Sequence, residues 1–288
     1  MLYFRLALVT LFWSGTVIAM RIGGQTFGPF WGATLRYALA SAAFLPLVFG
    51  KGKHPFQMTR RQWMHVFFLG LTGVFLYNYF VFRGLRTVQA NHAALIMAMN
   101  PILVMLVSSR LHGDRITRRR LAGALISLTG VAVVISRGDP SKLLMGFEQG
   151  DVFIVLGTLS WMLYTIIGRN ALQTLSPLQA SFWASVIGLV MLSLMAIREP
   201  WPSHIPMSAV WSILYLGLIG TVLGFVWFYE GVQKLGATRA SLFNNLIPVN
   251  TMILSVIILG EEVSGYVFIG AALVMTGVLL VNLPLKAR

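Results

Sequence analysis

At 288 residues the chain is 57% hydrophobic and only 10% charged, with a mean hydropathy of +0.78, whereas soluble domains carry roughly 25% charged residues. That balance excludes a soluble globular domain and predicts a polytopic membrane protein. The net charge of +14 does not indicate nucleic acid, because Lys and Arg fall in short gaps between apolar runs and leave no groove for a phosphate backbone. With no Cys, disulfides, thiolate metal sites and Cys nucleophiles are excluded too.

Windows of about 20 apolar residues predict ten spans, in order near 3–21, 29–49, 63–82, 90–110, 118–136, 151–169, 177–197, 208–230, 238–259 and 265–283. The first run has the look of a signal peptide. Trp13, Arg21 and Pro29 nevertheless recur 148 residues later as Trp161, Arg169 and Pro177, which predicts a retained span. Pro29 and Pro177 stand where a first helical turn tolerates proline. Gly23-Gly24, residues 51–55, Arg137-Gly138-Asp139-Pro140 and Arg198-Glu199-Pro200-Trp201-Pro202 have turn and helix-stop compositions.

From span 3 onward the repeat runs at a shift of 147. Leu69-Gly70-Leu71-Thr72-Gly73 recurs as Leu216-Gly217-Leu218-Ile219-Gly220, and the same shift pairs Pro101 with Pro248, Gly123 with Gly270 and Gly130 with Gly277. The chain thus divides into two copies, 1–137 and 148–288, of five spans each. Five is odd, so the second copy enters the bilayer from the opposite face. Loop charge agrees: Asp-Arg-Ile-Thr-Arg-Arg-Arg follows Gly113, whereas Glu-Glu-Val-Ser-Gly-Tyr follows Gly260. Fifteen basic residues fall on the side of the termini, six on the other, and Arg36 within a span, which predicts cytoplasmic termini. The expected fold is an all-α membrane protein of ten transmembrane helices in two five-helix inverted-topology repeats, an arrangement typical of transporters.

Asn91-His92-Ala93-Ala94-Leu95, Asn100-Pro101, Gly113-Asp114-Arg115-Ile116-Thr117, Gly123 and Gly130 resemble the EamA module of the drug/metabolite transporter (DMT) superfamily. The module recurs as Ala240-Ser241-Leu242, Pro248, Gly260-Glu261-Glu262, Gly270 and Gly277, and Phe12-Trp13-Ser14-Gly15 fits its start. The likeness covers nearly the whole chain; Asp114-Arg115 departs from the Glu the family more often shows, at a loop anchor. Ten spans, short loops and aromatic residues near the proline of span 4 are also similar to YddG-type exporters of aromatic amino acids. The resemblance implies two inverted halves around a central cavity, with the last helix of each half as scaffold. It implies an inner-membrane carrier that exports small metabolites, aromatic or neutral amino acids foremost. A multidrug or cationic-compound exporter with proton coupling is the rival.

Asn100-Pro101 and Pro248 lie deep in spans 4 and 9. Proline removes a backbone donor and displaces a carbonyl, and in hydrocarbon the freed groups need protein or a watery cavity. These prolines read as paired hinges or as packing kinks. Tyr77, Asn78, His92, Asn100, Asn244 and Asn245 are polar at depth. An unpaired buried amide costs roughly 2–7 kcal/mol, so they are expected to face a substrate or a neighbouring helix. Trp13, Trp161, Tyr164 and Trp227 lie within spans rather than only in interfacial belts, as walls for a flat or apolar substrate would. Gly123, Gly130, Gly270 and Gly277 read as helix packing. The expected substrate-binding set is therefore Trp13, Tyr77, Asn78, His92, Asn100, Pro101, Trp161, Tyr164, Trp227, Asn244, Asn245 and Pro248.

No Asp or Glu falls near the middle of a span, so a proton-cycling carboxylate is not evident and facilitated diffusion is expected, with His92-linked coupling as the weaker option. Arg36 either neutralises a substrate carboxylate, or snorkels or pairs. A membrane enzyme is not expected, since there is no HExxH, no Cys and no intramembrane Asp pair. No cofactor or metal is expected, and the partners are a small-molecule substrate and the lipid bilayer.

Overall fold

The computed structural model describes residues 2–49, 57–112, 117–136, 138–139, 148–235, 240 and 242–282. Among them every regular element is helical. The first copy begins with α1 (Leu2–Thr26) and α2 (Pro29–Val48), the latter opened by proline in its first turn. Next comes α3 (Arg60–Leu69), opened by a capping box in which the Thr59 and Gln62 side chains each satisfy the other's backbone N–H. It runs on through Gly70–Leu76 into α4 (Tyr77–Gly84). Between them the turn widens to i→i+5 hydrogen bonding, with the Tyr77 N–H reaching the Thr72 carbonyl. The copy continues with α5 (Ala90–Met97), α6 (Asn100–His112) and α7 (Arg118–Ile135).

The second copy holds α8 (Gln149–Ala171), then α9 (Pro177–Ala196), which a Ser176–Gln179 capping box opens. After α10 (Met207–Leu214) a second widened stretch, Tyr215–Leu223, leads into α11 (Gly224–Leu235). A short 3₁₀ turn, Leu242–Leu246, precedes α12 (Ile247–Leu259), and α13 (Gly265–Asn282) closes the described chain. Residues 70–76 shifted by 147 become 217–223, so the widened turns occupy equivalent places in the two copies. Such turns are rare and often mark functional sites.

The spans with prolines differ from expectation. Rather than one kinked helix, span 4 is two: Met99 N–H bonds the Ile96 carbonyl and Ile102 N–H the Met99 carbonyl, and α6 restarts with Pro101 as its second residue. Pro248 is likewise second in α12, after the 3₁₀ turn. In a first turn the missing proline N–H leaves no hydrogen bond unmade, so the backbone breaks before the proline rather than bending at it. Gly260 ends α12 with φ +65°, a left-handed cap that glycine adopts without steric penalty.

Among the described residues, six helical runs are long and apolar enough to cross a membrane: Leu2–Thr26, Arg60–Gly84, His92–Leu111, Gln149–Ala171, Pro177–Ala196 and Met207–Lys234. Leu121–Gly130, Val249–Leu259 and Gly265–Gly277 are shorter apolar stretches. Large apolar side chains such as Val190, Leu194, Ile257, Phe268 and Ile269 point outward, as helices surrounded by hydrocarbon allow. Helix α2 packs on α9, α4 on α8, α1 on α12 and, most extensively, α7 along α13. At that last crossing a Cβ on Gly130 would stand 2.7 Å from the Gly270 carbonyl oxygen, and one on Gly277 2.5 Å from the Ser127 nitrogen. Backbone meets backbone there, the packing role expected of these glycines.

Candidate functional site

A cavity of about 80 Å³ opens between α1, α2, α4, α5, α6, α8 and α11, the start of α12 and the turn before it. A concave, largely apolar space with a few polar groups is the usual form of a small-molecule site. Both copies build its walls, partly from equivalent positions: Trp13 and Trp161 (13 + 148), Met97 and Asn244 (97 + 147), Asn100 and Ile247 (100 + 147). The break before Pro101 and the 3₁₀ turn before Pro248 carry Asn100 and Asn244 to the cavity.

One wall is aromatic. Trp161 meets Trp13 edge-on at 5.6 Å and 85°, Tyr77 at 5.0 Å and Phe225 at 5.6 Å. The two tryptophans differ in what is left to offer. Trp13 donates its indole N–H to the Gly220 carbonyl at 3.1 Å, inside the second widened turn. The Trp161 indole has no such bond among the described residues.

The polar lining is sparse. Thr16 and Thr158 turn their hydroxyls back to the Trp13 and Ile154 carbonyls. Asn100 and Asn244 each bury a side-chain oxygen that has no hydrogen-bond partner among the described residues, an arrangement that costs about 1–3 kcal/mol unless a bound molecule supplies a donor. Arg36 is the charged group of the cavity and only 2% exposed, so the snorkelling reading fails. Its Nε donates to Thr221 Oγ1 at 2.8 Å and its Nη1 to Asn78 Oδ1 at 2.9 Å.

Of the residues expected from sequence, Trp13, Tyr77, Asn100, Trp161 and Asn244 line this cavity together. Asn78 is fully buried behind the wall, holding Arg36. Tyr164 stacks between Trp161 at 4.8 Å and Tyr229 at 5.6 Å, supporting the wall from behind. Trp227 sits away from the cavity, with the Arg5 guanidinium 5.4 Å from its ring and Arg5 in turn paired with Glu230 at 3.0 Å. His92 Nε2 lies 3.5 Å from Asp151 Oδ1, joining α5 to the start of α8. The side chains of Pro101, Asn245 and Pro248 lie outside the described ones. Phe225 and Thr158 were absent from the expected set. Thr158 is three residues before Trp161 and so shares its helix face, and Phe225 is the repeat equivalent of Asn78 (78 + 147).

Long apolar helices around a partly polar cavity are the frame that membrane transporters use. The model of the EamA-like transporter family matches residues 2–136 and again 148–283, and the chain belongs to that family. It is a multi-pass membrane protein of DMT type. Among its relatives, an uncharacterized transporter of Bacillus subtilis (strain 168), YyaM, is 33% identical over 88% of this chain and 84% of its own length. A probable terminal-alkyne amino-acid exporter of Streptantibioticus cattleyicolor is 24% identical over 96% of this chain and 92% of its own. A solved crystal structure, 22% identical and covering 96% of this chain and 95% of its own, superposes with a TM-score of 0.70 and supports the fold.

Proposed function

We propose that this chain is an inner-membrane carrier that exports aromatic and neutral amino acids by alternating access and facilitated diffusion. The carrying observation is the cavity itself: aromatic walls for an apolar side chain, with a few unpaired polar groups for a small head. The ten-span, inverted reading belongs to the same proposal. It draws support from reciprocal packing, since α1 lies on α12 while their repeat equivalents, α8 and the α5–α6 pair, also lie together. The count of fifteen basic residues against six supports cytoplasmic termini. A relative whose name makes it a probable amino-acid exporter fits this cargo, as does the likeness to YddG-type exporters.

Purified protein in liposomes loaded with labelled tryptophan, phenylalanine and threonine tests the reading. Protein-dependent efflux of one or more is expected; no flux across a broad amino-acid panel overturns it. Proton-coupled export of cationic compounds is the second reading, favoured by the buried contact between His92 and Asp151. A flux that follows an imposed pH gradient and loses that dependence in His92→Ala would select it.

A further inference from the structure

We infer that Arg36 is the carboxylate anchor of the cavity and that the Asn100 and Asn244 oxygens receive an ammonium group, so the cargo is a zwitterionic α-amino acid. This rests on the amino-acid reading above and deepens it. Arg36 carries its guanidinium charge into the interior, where it is 2% exposed. No carboxylate among the described residues pairs with it, and the neighbours that hold it are neutral: Thr221, Asn78 and, at 3.8 Å, the Met20 sulfur. A buried charge needs a counter-charge, and Arg36 is part of the cavity lining.

The holders are themselves locked. Asn78 gives its NH₂ to the Tyr37 hydroxyl at 3.2 Å and the Val74 carbonyl at 2.8 Å, which turns its oxygen towards Arg36. Thr221 gives its hydroxyl proton to the Leu216 carbonyl at 2.8 Å and so can only accept from Nε. Two donors of the fork are thereby fixed while Nη2 bonds no described protein atom, which leaves a preorganised donor for an incoming anion. The repeat does not copy this pole: 36 + 148 is Ala184 and 78 + 147 is Phe225. The cavity therefore has one positive end. The acceptors with no donor, Asn100 Oδ1 and Asn244 Oδ1, belong to other elements. Because they carry no charge, they hold an ammonium without the grip of a carboxylate, which suits a carrier that must release its cargo.

The test uses proteoliposomes of the wild-type protein and the labelled amino acid that moves fastest in the flux panel. Its counterflow is competed with three unlabelled probes: the amino acid, its decarboxylated amine and its deaminated acid. Removing either charged group is expected to weaken competition by at least about tenfold, as the loss of a charge-assisted hydrogen bond does. Arg36→Gln should erase the difference between amino acid and amine, and Arg36→Lys should restore part of it. Equal competition by amine and amino acid in the wild type overturns the anchor while amino-acid transport stands. No flux for any amino acid removes both. The competition series needs no variant to fold.

Discussion

Gly277→Ala should destabilise this protein out of proportion to one methyl group. In the native packing the new Cβ would fall on the Gly123 carbonyl oxygen and 2.5 Å from the Ser127 nitrogen, both backbone atoms of α7. No rotamer change can move them. Ordinary contact begins near 3.4 Å, so α7 and α13 must separate by about 1 Å along the most extensive helix contact in the molecule. Overpacking of this kind costs about 1–3 kcal/mol, and at about 2–4 °C per kcal/mol for a large domain the melting temperature in detergent should fall by roughly 2–12 °C. Gly265→Ala is the control, because nothing stands within 4 Å of a Cβ there. Neither change should alter KM for transport, since α13 adds nothing to the cavity wall among the described residues. A Gly277→Ala protein that melts with the wild type would refute the reasoning that this crossing is closed to side chains.

Further outcomes follow from the site and its supports. Trp161→Ala should raise KM by about tenfold through loss of the exposed aromatic face, whereas Trp13→Phe should lower thermal stability by about 1 kcal/mol, the value of its bond to the Gly220 carbonyl; the reverse pattern would exchange their roles. Glu199→Ala should lower the melting temperature by a few degrees, because its carboxylate accepts the backbone N–H groups of Phe30 and Trp31 at 3.0 and 3.1 Å where α2 begins. An unchanged melting curve would show that this capping contact contributes nothing. Thr221→Val removes the acceptor of Arg36 Nε while placing there the residue type its repeat equivalent, Val74, already has (221 − 147). Flux assays should show KM rising more than kcat falls, and an unchanged KM would mean that Arg36 needs no second holder.

Composition and periodicity made the helical, membrane-embedded character legible, and the repeated glycines read as helix packing because small residues have few other uses on an apolar helix face; that they meet each other at the α7–α13 crossing came from the structure. The widened turns were less accessible. Leu69-Gly70-Leu71-Thr72-Gly73 and its equivalent stood out as a repeat, but an i→i+5 hydrogen bond leaves no mark in hydrophobic periodicity. Helical phase explains much of what the sequence could not sort within the site. Trp161 and Tyr164 lie three apart and share a face, yet Trp161 reaches the cavity while Tyr164 is covered by it and by Tyr229. Asn78 and Tyr77 are adjacent and point apart, one to Arg36 and one to the cavity. Arg36 had two readings in sequence because only depth separates a snorkelling side chain from a buried one, and depth comes from packing.

The division of labour between repeated and unrepeated residues has a physical reason. Groups that set backbone geometry recur: the widened turns, the prolines that restart α6 and α12, and the glycines between α7 and α13. In the alternating-access cycle proposed above, the two halves would exchange roles and so would have to bend and slide alike, which leaves these positions little room to differ between copies. Recognition has no such requirement. An asymmetric molecule with an acidic head and an apolar tail binds best in a cavity whose two sides differ. The charged pole accordingly falls where the repeat fails, at Arg36 against Ala184, and its holders Asn78 and Thr221 come one from each copy. A guanidinium bonded to both halves senses their relative position. In the proposed cycle, movement of one copy against the other would strain the bond to Thr221, the one that crosses between copies, and the inferred ligand anion would be placed to compensate.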